Sequence, residues 1–151
     1  MLERAIADTS ALIALEKIGL LDVLCKIYSE IILPEAVLNE FGTPVINCCI
    51  TKRVESPLVK LFIGDLNLGK GESEVIALSI ESGVKAIIDD QKARRVAETL
   101  GLNMTGTIGI LLKAEKMGLI ESSYEKAKDL RAKGFFVSNE LLDDILKFVK
   151  K

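Results

Sequence analysis

Residues 85–101, with the sequence KAIIDDQKARRVAETLG, decide the fold class. Their first four residues predict a short buried strand, two aspartates follow it, and residues 91–100 predict a helix that Gly101 ends. The same order occurs near the start of the chain, where residues 4–7 predict a strand that runs directly into Asp8. Strands that lead through an acid into a helix are typical of parallel sheets with crossover helices.

The rest of the chain continues this alternation of short apolar runs and longer helical patterns. Pro34 is well placed as the first residue of a helix. Ser122 and Glu125 form a capping box that begins one C-terminal helix, and Ser138 or Asn139 begins the next. The remaining predicted elements are a strand at 30–33 and helices at 11–17, 34–42, 44–53, 71–81 and 107–116.

These elements predict the α/β class. The expected architecture is a three-layer α/β/α fold with a central, mostly parallel sheet and a helical C-terminal tail. The length of 151 residues, without a Gly/Ser linker or a repeat, predicts one domain over 1–151. Its core is expected at about 4–117 and its C-terminal helices at about 121–150.

Apolar residues make up 49% of the chain, and the mean hydropathy is +0.32. The chain nevertheless lacks the run of roughly 18 apolar residues that a membrane-spanning helix needs. Glu3, Arg4 and Asp8 also argue against an N-terminal signal peptide. We therefore expect a cytoplasmic protein without a membrane partner.

Histidine is absent, which excludes serine–histidine and cysteine–histidine catalysis and imidazole zinc sites within the chain. The three cysteines, Cys25, Cys48 and Cys49, form no C-x-x-C pair. Their odd number, without a signal-peptide pattern, predicts reduced, buried and inert thiols in a cytosol. Any chemistry must use carboxylates, hydroxyls, lysine or a bound ion.

Four carboxylates fall where a parallel sheet would bring them to one edge. Asp8 and Asp90 follow predicted strands, Glu72 opens the predicted helix at 71–81, and Glu40 lies near the end of an earlier helix. Ligands of such sheets bind beyond the carboxyl ends of the strands. Four converging carboxylates repel one another unless a cation neutralises them, and a set of oxygen ligands favours Mg²⁺ or Mn²⁺.

Each acid also has an ordinary structural interpretation. An aspartate between a strand and a helix is commonly an N-cap, and Glu40 and Glu72 would suit solvated helix faces. The residues alone do not choose between Glu72 and Glu74, or between Asp89 and Asp90. The two members of each pair point in different directions on a helix or an extended strand.

Five short motifs resemble the PIN-domain family of metal-dependent ribonucleases. The resemblance covers about residues 4–117, and the tail from Glu121 is similar to the helical C terminus of a prokaryotic, VapC-like toxin branch. Each motif is short, so the order and spacing of all five carry the resemblance. The motifs are 8–10 (DTS), 33–40 (LPEAVLNE), 71–78 (GESEVIAL), 87–90 (IIDD) and 105–109 (TGTIG).

The resemblance places the family's acidic residues by position. The family has four acids in a fixed order along the chain. For the third, the residues that follow favour Glu72 over Glu74, and for the fourth, the small residues that follow favour Asp90 over Asp89. The family commonly has aspartate at the third position, so Glu72 departs from the majority. The implied catalytic and metal-binding quartet is Asp8, Glu40, Glu72 and Asp90. Side chains implied to support it are Ser10, Glu74, Asp89 and Thr107.

The function implied by the resemblance is metal-dependent endoribonuclease activity, with Mg²⁺ or Mn²⁺ as cofactor and RNA as substrate. It extends to the toxin of a toxin–antitoxin pair, with a small antitoxin protein as partner. Lys92, Arg94 and Arg95 follow the fourth acid closely enough to stabilise charge on a phosphate, although a solvated helix face is their more ordinary explanation. The high aliphatic content predicts a homodimer formed through an exposed helix face, in residues 11–24 or 106–120.

Two features argue against tight nucleic-acid binding. The net charge is −2, and only five Phe and two Tyr, with no Trp, are available for base stacking. Phe135 and Phe136 are expected in a core or an interface. The alternative function is a non-catalytic interaction module. A receiver-like switch is disfavoured because the acidic pair comes late, and a D-x-D phosphatase would need an acid at Ser10.

Overall fold

A computed structural model describes residues 2–150 of the chain. Its strands are β1 (Arg4–Ala7), β2 (Glu30–Pro34), β3 (Cys49–Lys52), β4 (Lys85–Ile87) and β5 (Met104–Thr105). They form one parallel sheet in the spatial order β3-β2-β1-β4-β5. The predicted parallel sheet is therefore confirmed.

Nine α-helices and one 3-10 turn, Leu21–Val23, connect and follow the strands of the described residues. The helices are α1 (Thr9–Lys17), α2 (Leu24–Ile27), α3 (Glu35–Phe41), α4 (Leu58–Gly64), α5 (Lys70–Ser82), α6 (Gln91–Thr99), α7 (Thr107–Lys116), α8 (Ser123–Ala132) and α9 (Asn139–Val149). Helices cover the sheet to give the predicted three-layer α/β/α fold, with α8 and α9 as its helical tail. Between residues 2 and 150, no helix combines the length and the apolar character needed to cross a bilayer.

After a charged first residue, the three central strands β1, β2 and β4 are apolar and buried, because both faces of the sheet are covered there. Ala5, Ile6 and Ala7 of β1 are all fully buried, as are Ile31 of β2 and Ile87 of β4. α5 packs across β1, β2 and β4 and buries its own apolar side in the same core. This core holds the ends of β1 and β4 in place beneath the predicted acids.

A second apolar cluster forms between the C-terminal helices and the rest of the chain. Leu130 of α8 and Ile145 of α9 belong to the same buried cluster as Ala14 of α1 and Leu111 of α7. α1 and α7 are the helices whose faces are predicted to form the homodimer. The C-terminal tail covers much of those faces within the chain, although Met117 stays exposed.

The predicted helix at 44–53 is wrong. That segment is a loop followed by β3, which pairs with β2 at the edge of the sheet. Ile50 and Thr51 are β-branched and suit a strand, and the hydrogen bonds that β2 offers outweigh the weak local preference for helix. Helix α4 was not predicted, and it begins directly after Pro57, whose fixed φ suits a helix start.

The prediction of three reduced, buried thiols is wrong. Cys25 and Cys48 form a disulfide between α2 and the segment before β3, and all three cysteines are half-buried. Cys49 is free, and burial raises the pKa of its thiol to about 11. Little of the reactive thiolate then exists at neutral pH, as expected of an inert cysteine. The disulfide joins residues 23 apart, so only the fold brings them together.

Candidate active site

The acids lie where the strand order of the sheet reverses. The chain runs from β1 outward through β2 to β3, then continues on the other side of β1 with β4, which leaves a crevice beyond the strand ends. The N–H of Asp8 donates to the carbonyl of Ile87 over 3.0 Å, so the pairing of β1 and β4 continues to the first acid. Asp89 and Asp90 follow β4 after one more buried residue, Ile88.

Asp8 caps α1 and also joins the ends of two strands. Its Oδ1 accepts the N–H of Ala11 over 2.8 Å, and its Oδ2 accepts the N–H of Asp89 over 3.1 Å. The residue is 1% exposed. Burial chiefly raises the pKa of Asp8 to about 7, and the charges of Asp89 and Glu72 add to the increase, against the two backbone hydrogen bonds. The N-cap interpretation is correct for Asp8, but it does not explain why other acids lie nearby.

Glu72 and Asp90 contact each other through their carboxyl groups. Glu72 lies in the first turn of α5, and Asp90 caps α6 by accepting the N–H of Ala93 over 2.9 Å. The pKa of Glu72 is raised to about 7. Burial is the largest cause, and the hydrogen bond with Asp90 and the charges of Asp90 and Glu40 add to it. Lys92 opposes that increase. A neighbouring carboxylate disfavours the charged form of Glu72, because like charges repel at close range.

Glu40 reaches the start of α5 because position 71 has no side chain. A Cβ at Gly71 would overlap the Oε1 atom of Glu40. α3 and α5 pack together at this point, so the exposed carboxylate of Glu40 lies beside the helix turn that carries Glu72. Glycine at 71 therefore permits the approach of the two glutamates.

The structure thus brings all four predicted acids to one edge of the sheet, with Glu72 at their centre. Within residues 2–150, no three Asp, Glu, Cys or His side chains already surround a point where a metal ion would sit. The donors are all carboxylate oxygens, and the raised pKa values of Asp8 and Glu72 reflect burial together with mutual repulsion. A hard divalent cation relieves that repulsion, so the donor chemistry fits Mg²⁺ or Mn²⁺.

The side chains expected to support the quartet differ in their roles. Glu74 is buried and its Oε1 accepts the N–H of Ala36 over 3.0 Å, which anchors the start of α3. Asp89 accepts the N–H of Thr107 over 2.7 Å and also the Thr107 hydroxyl, which joins the end of β4 to α7. Ser10 is exposed on the first turn of α1 and forms part of the wall of a neighbouring cavity.

Two of the three candidate cations lie at the site. Lys92 Nζ donates to the carbonyl of Asn67 over 3.1 Å, and its positive charge favours the ionised form of Glu72. Arg94 is half-buried, and its Nη1 donates to the carbonyl of Ile88 over 2.8 Å. The described contacts give the exposed Arg95 no link to the acids, in keeping with a solvated helix face.

Three residues of the site were not identified from the sequence. Gly71 admits one glutamate, and Gly106 admits the side chains of Arg94 and Asp89, which a Cβ there would overlap. Thr9, directly after the first acid, has a buried hydroxyl without a hydrogen-bond partner in the described structure. A glycine just before a helix or within its first turn was the available signal, but its purpose depends on distant side chains.

The protein is a parallel α/β protein whose acids lie beyond the strand ends, at the place where the strand order reverses. A family model described as a PIN domain (DUF3368) matches residues 4–151. The chain belongs to the PIN-domain family. No curated protein and no solved structure matches the chain. PIN domains are commonly nucleases, so the family supports a nuclease fold in general.

Proposed function

We propose that this protein is a metal-dependent endoribonuclease that hydrolyses RNA phosphodiester bonds. Asp8, Glu40, Glu72 and Asp90 would hold Mg²⁺ or Mn²⁺. The observation that carries the proposal is the carboxyl contact between Glu72 and Asp90, within charge range of the other two acids. Crowding of this kind destabilises a fold, so a function that needs the acids together is the simplest explanation.

The surrounding residues hold the acids in position. Two backbone N–H groups fix Asp8, and one fixes Asp90, which limits the motion of both carboxylates. Lys92 and Arg94 supply positive charge beside the acids, where an RNA phosphate would approach. A divalent cation bound there would activate water for attack and stabilise negative charge on the phosphate.

Mn²⁺ binding, measured by calorimetry, tests the site without a substrate. The wild type should bind Mn²⁺, and Asp8→Asn should lose most of that binding because it removes a ligand charge. Glu81→Gln is the matched control, since Glu81 is an exposed carboxylate near the far end of the same helix as Glu72. Equal binding by Asp8→Asn and the wild type would refute the role of Asp8.

Cleavage of labelled single-stranded RNA tests the activity itself. Wild type and Glu81→Gln should cut in Mg²⁺ or Mn²⁺ and stop in EDTA. Asp8→Asn and Asp90→Asn should lower the cleavage rate roughly a hundredfold or more, because loss of a residue that only supports a metal ligand already costs about 10–100-fold. Undiminished cutting by both variants, prepared in the same way, would contradict the site assignment.

A narrower proposal is that the cleavage makes this chain the toxin of a toxin–antitoxin pair, with a small antitoxin protein as its partner. The helical tail that resembles the toxin branch supports this role. Induced expression of the wild type should stop growth, Asp8→Asn should not, and co-expression of a neighbouring small reading frame should restore growth. Growth arrest by both forms alike would count against the proposal.

The alternative function is a non-catalytic interaction module. The net charge of −2 favours it, as does the lack, within residues 2–150, of a ready three-ligand cation site. Failure of the wild type to bind Mn²⁺ would select this alternative. The homodimer stays a prediction for light scattering at micromolar concentration, where a monomeric mass would refute it. The cytoplasmic location also stays a prediction, which fractionation of cells would test.

A further inference from the structure

An open cavity of about 700 Å³ adjoins the candidate active site. Asp89 and Asp90 line it from the end of β4, and Phe136 lines it from the loop between α8 and α9. We propose that this cavity binds a nucleobase of single-stranded RNA, with Phe136 as the stacking surface. The inference rests on the proposed nuclease function and adds to it a site for one base of the RNA and the residue that positions that base.

Phe136 is exposed to solvent because both of its neighbours in the loop are packed against the protein. Its neighbours Phe135 and Val137 both pack into the cluster beneath α8 and α9, so the side chain between them points outward. The N–H of Phe135 donates to the carbonyl of Leu130 over 3.1 Å, which ties the loop to α8. Phe136 is 86% exposed, the most exposed aromatic residue among those described. Of the two places expected for these phenylalanines, a core or an interface, Phe135 packs against the buried cluster, whereas the exposure of Phe136 excludes the core for that residue.

The wall nearest the acids is polar. It contains Ser10, Gln91 and Arg94. Arg94 donates a hydrogen bond to the carbonyl of Ile88, and it forms no salt bridge with a carboxylate of residues 2–150. An arginine of this kind is available to an RNA phosphate, to which a guanidinium binds through paired hydrogen bonds.

A nucleotide matches both walls at once. Its phosphate suits Arg94 beside the acids, and the flat apolar face of its base suits Phe136. The volume lies within the range of sites that enclose a small organic group. Bases in a duplex have both faces covered by their neighbours, so the match is to single-stranded RNA. An apolar protein segment would leave the polar wall without partners.

The test is binding of a fluorescein-labelled hexaribonucleotide, followed by anisotropy in Ca²⁺ and separately in EDTA. Phe136→Ala should bind roughly five- to hundredfold more weakly, the range found for loss of one stacked base. Phe136→Tyr should bind like the wild type, and Phe136→Leu like the alanine variant, because leucine is apolar but has no flat ring. Phe148→Ala is the matched control, since Phe148 is 56% exposed on α9 and lies outside the cavity wall.

A second arm identifies the base. A series of oligonucleotides each lacks the base at a different position. The wild type should bind the oligonucleotide that lacks the base at one particular position more weakly than the others, and Phe136→Ala should show no such difference in affinity. Absence of wild-type binding, equal binding by Phe136→Ala, or full binding by Phe136→Leu would overturn the proposal. Loss of self-association in Phe136→Ala, with RNA binding unchanged, would also overturn it and assign the surface to a protein partner.

Cleavage in Mg²⁺ separates this inference from the proposed function. If the wild type cuts RNA and Phe136→Ala binds it equally well, the nuclease stands and the base site is wrong. If Phe136→Ala loses binding but the wild type never cuts, the base site stands and the nuclease proposal fails.

Discussion

Asp8→Asn should stabilise the metal-free protein at pH 8 and fail to do so at pH 4. Asp8 is 1% exposed, and its pKa is about 7 in the folded chain against 3.8 for an unperturbed aspartate. Between these two pH values the folded chain keeps a proton that the unfolded chain has released. The free energy of unfolding therefore decreases as the pH rises through this window. The full difference corresponds to roughly 4 kcal/mol.

Asparagine recovers only part of that free energy. It removes the buried charge and keeps one oxygen for the N–H of Ala11, but its amide group then faces the N–H of Asp89. Loss of that acceptor costs about 1–3 kcal/mol. The net gain at pH 8 is then about 1–3 kcal/mol, or roughly 2–4 °C in Tm per kcal/mol for a chain of this size. At pH 4 only the loss remains, because the wild-type carboxyl is already neutral.

Thermal unfolding followed by circular dichroism, in EDTA at several pH values, is the assay. Glu81→Gln should show the pH dependence of the wild type, since Glu81 is exposed. A fall in Tm for Asp8→Asn that is as large at pH 8 as at pH 4 would refute the reasoning. Added Mn²⁺ should raise the Tm of the wild type by mass action and leave Asp8→Asn little changed.

Three further outcomes are expected. Gly71→Ala should leave the free energy of unfolding within about 1 kcal/mol of the wild type, since alanine favours helix. It should nevertheless reduce RNA cleavage, because its Cβ displaces the Glu40 carboxylate; unchanged cleavage would contradict that role. Glu74→Gln should retain cleavage within a few-fold, because the amide oxygen still accepts the N–H of Ala36, and a loss as large as that of Asp90→Asn would make Glu74 a ligand instead. Cys25→Ser should lower stability by about 3 kcal/mol in unfolding assays without reductant, from the loop of 23 residues that the disulfide closes; an unchanged Tm would refute this.

Several features of the site could be predicted because they depend on local chemistry. Asp8 and Asp90 each stand between a strand and a helix, and both cap the helix that follows. Ser122 and Ser138 also cap the helices that their positions indicate. The places of the acids after strands and on helices predicted that they would meet at one edge, and the charges of Asp8, Glu40 and Asp90 all act on or with Glu72.

The sequence by itself determined the strand–acid–helix units, because a strand end, a cap and a helix start are recognised within a few residues. It did not determine β3, whose strand state depends on hydrogen bonds from β2. Nor did it determine the Cys25–Cys48 bond or the approach of Glu40 to Gly71, which join segments far apart in the chain. The exposure of Phe136 likewise follows from the packing of its neighbours. Tertiary structure decided these features because each depends on a partner that no local pattern contains.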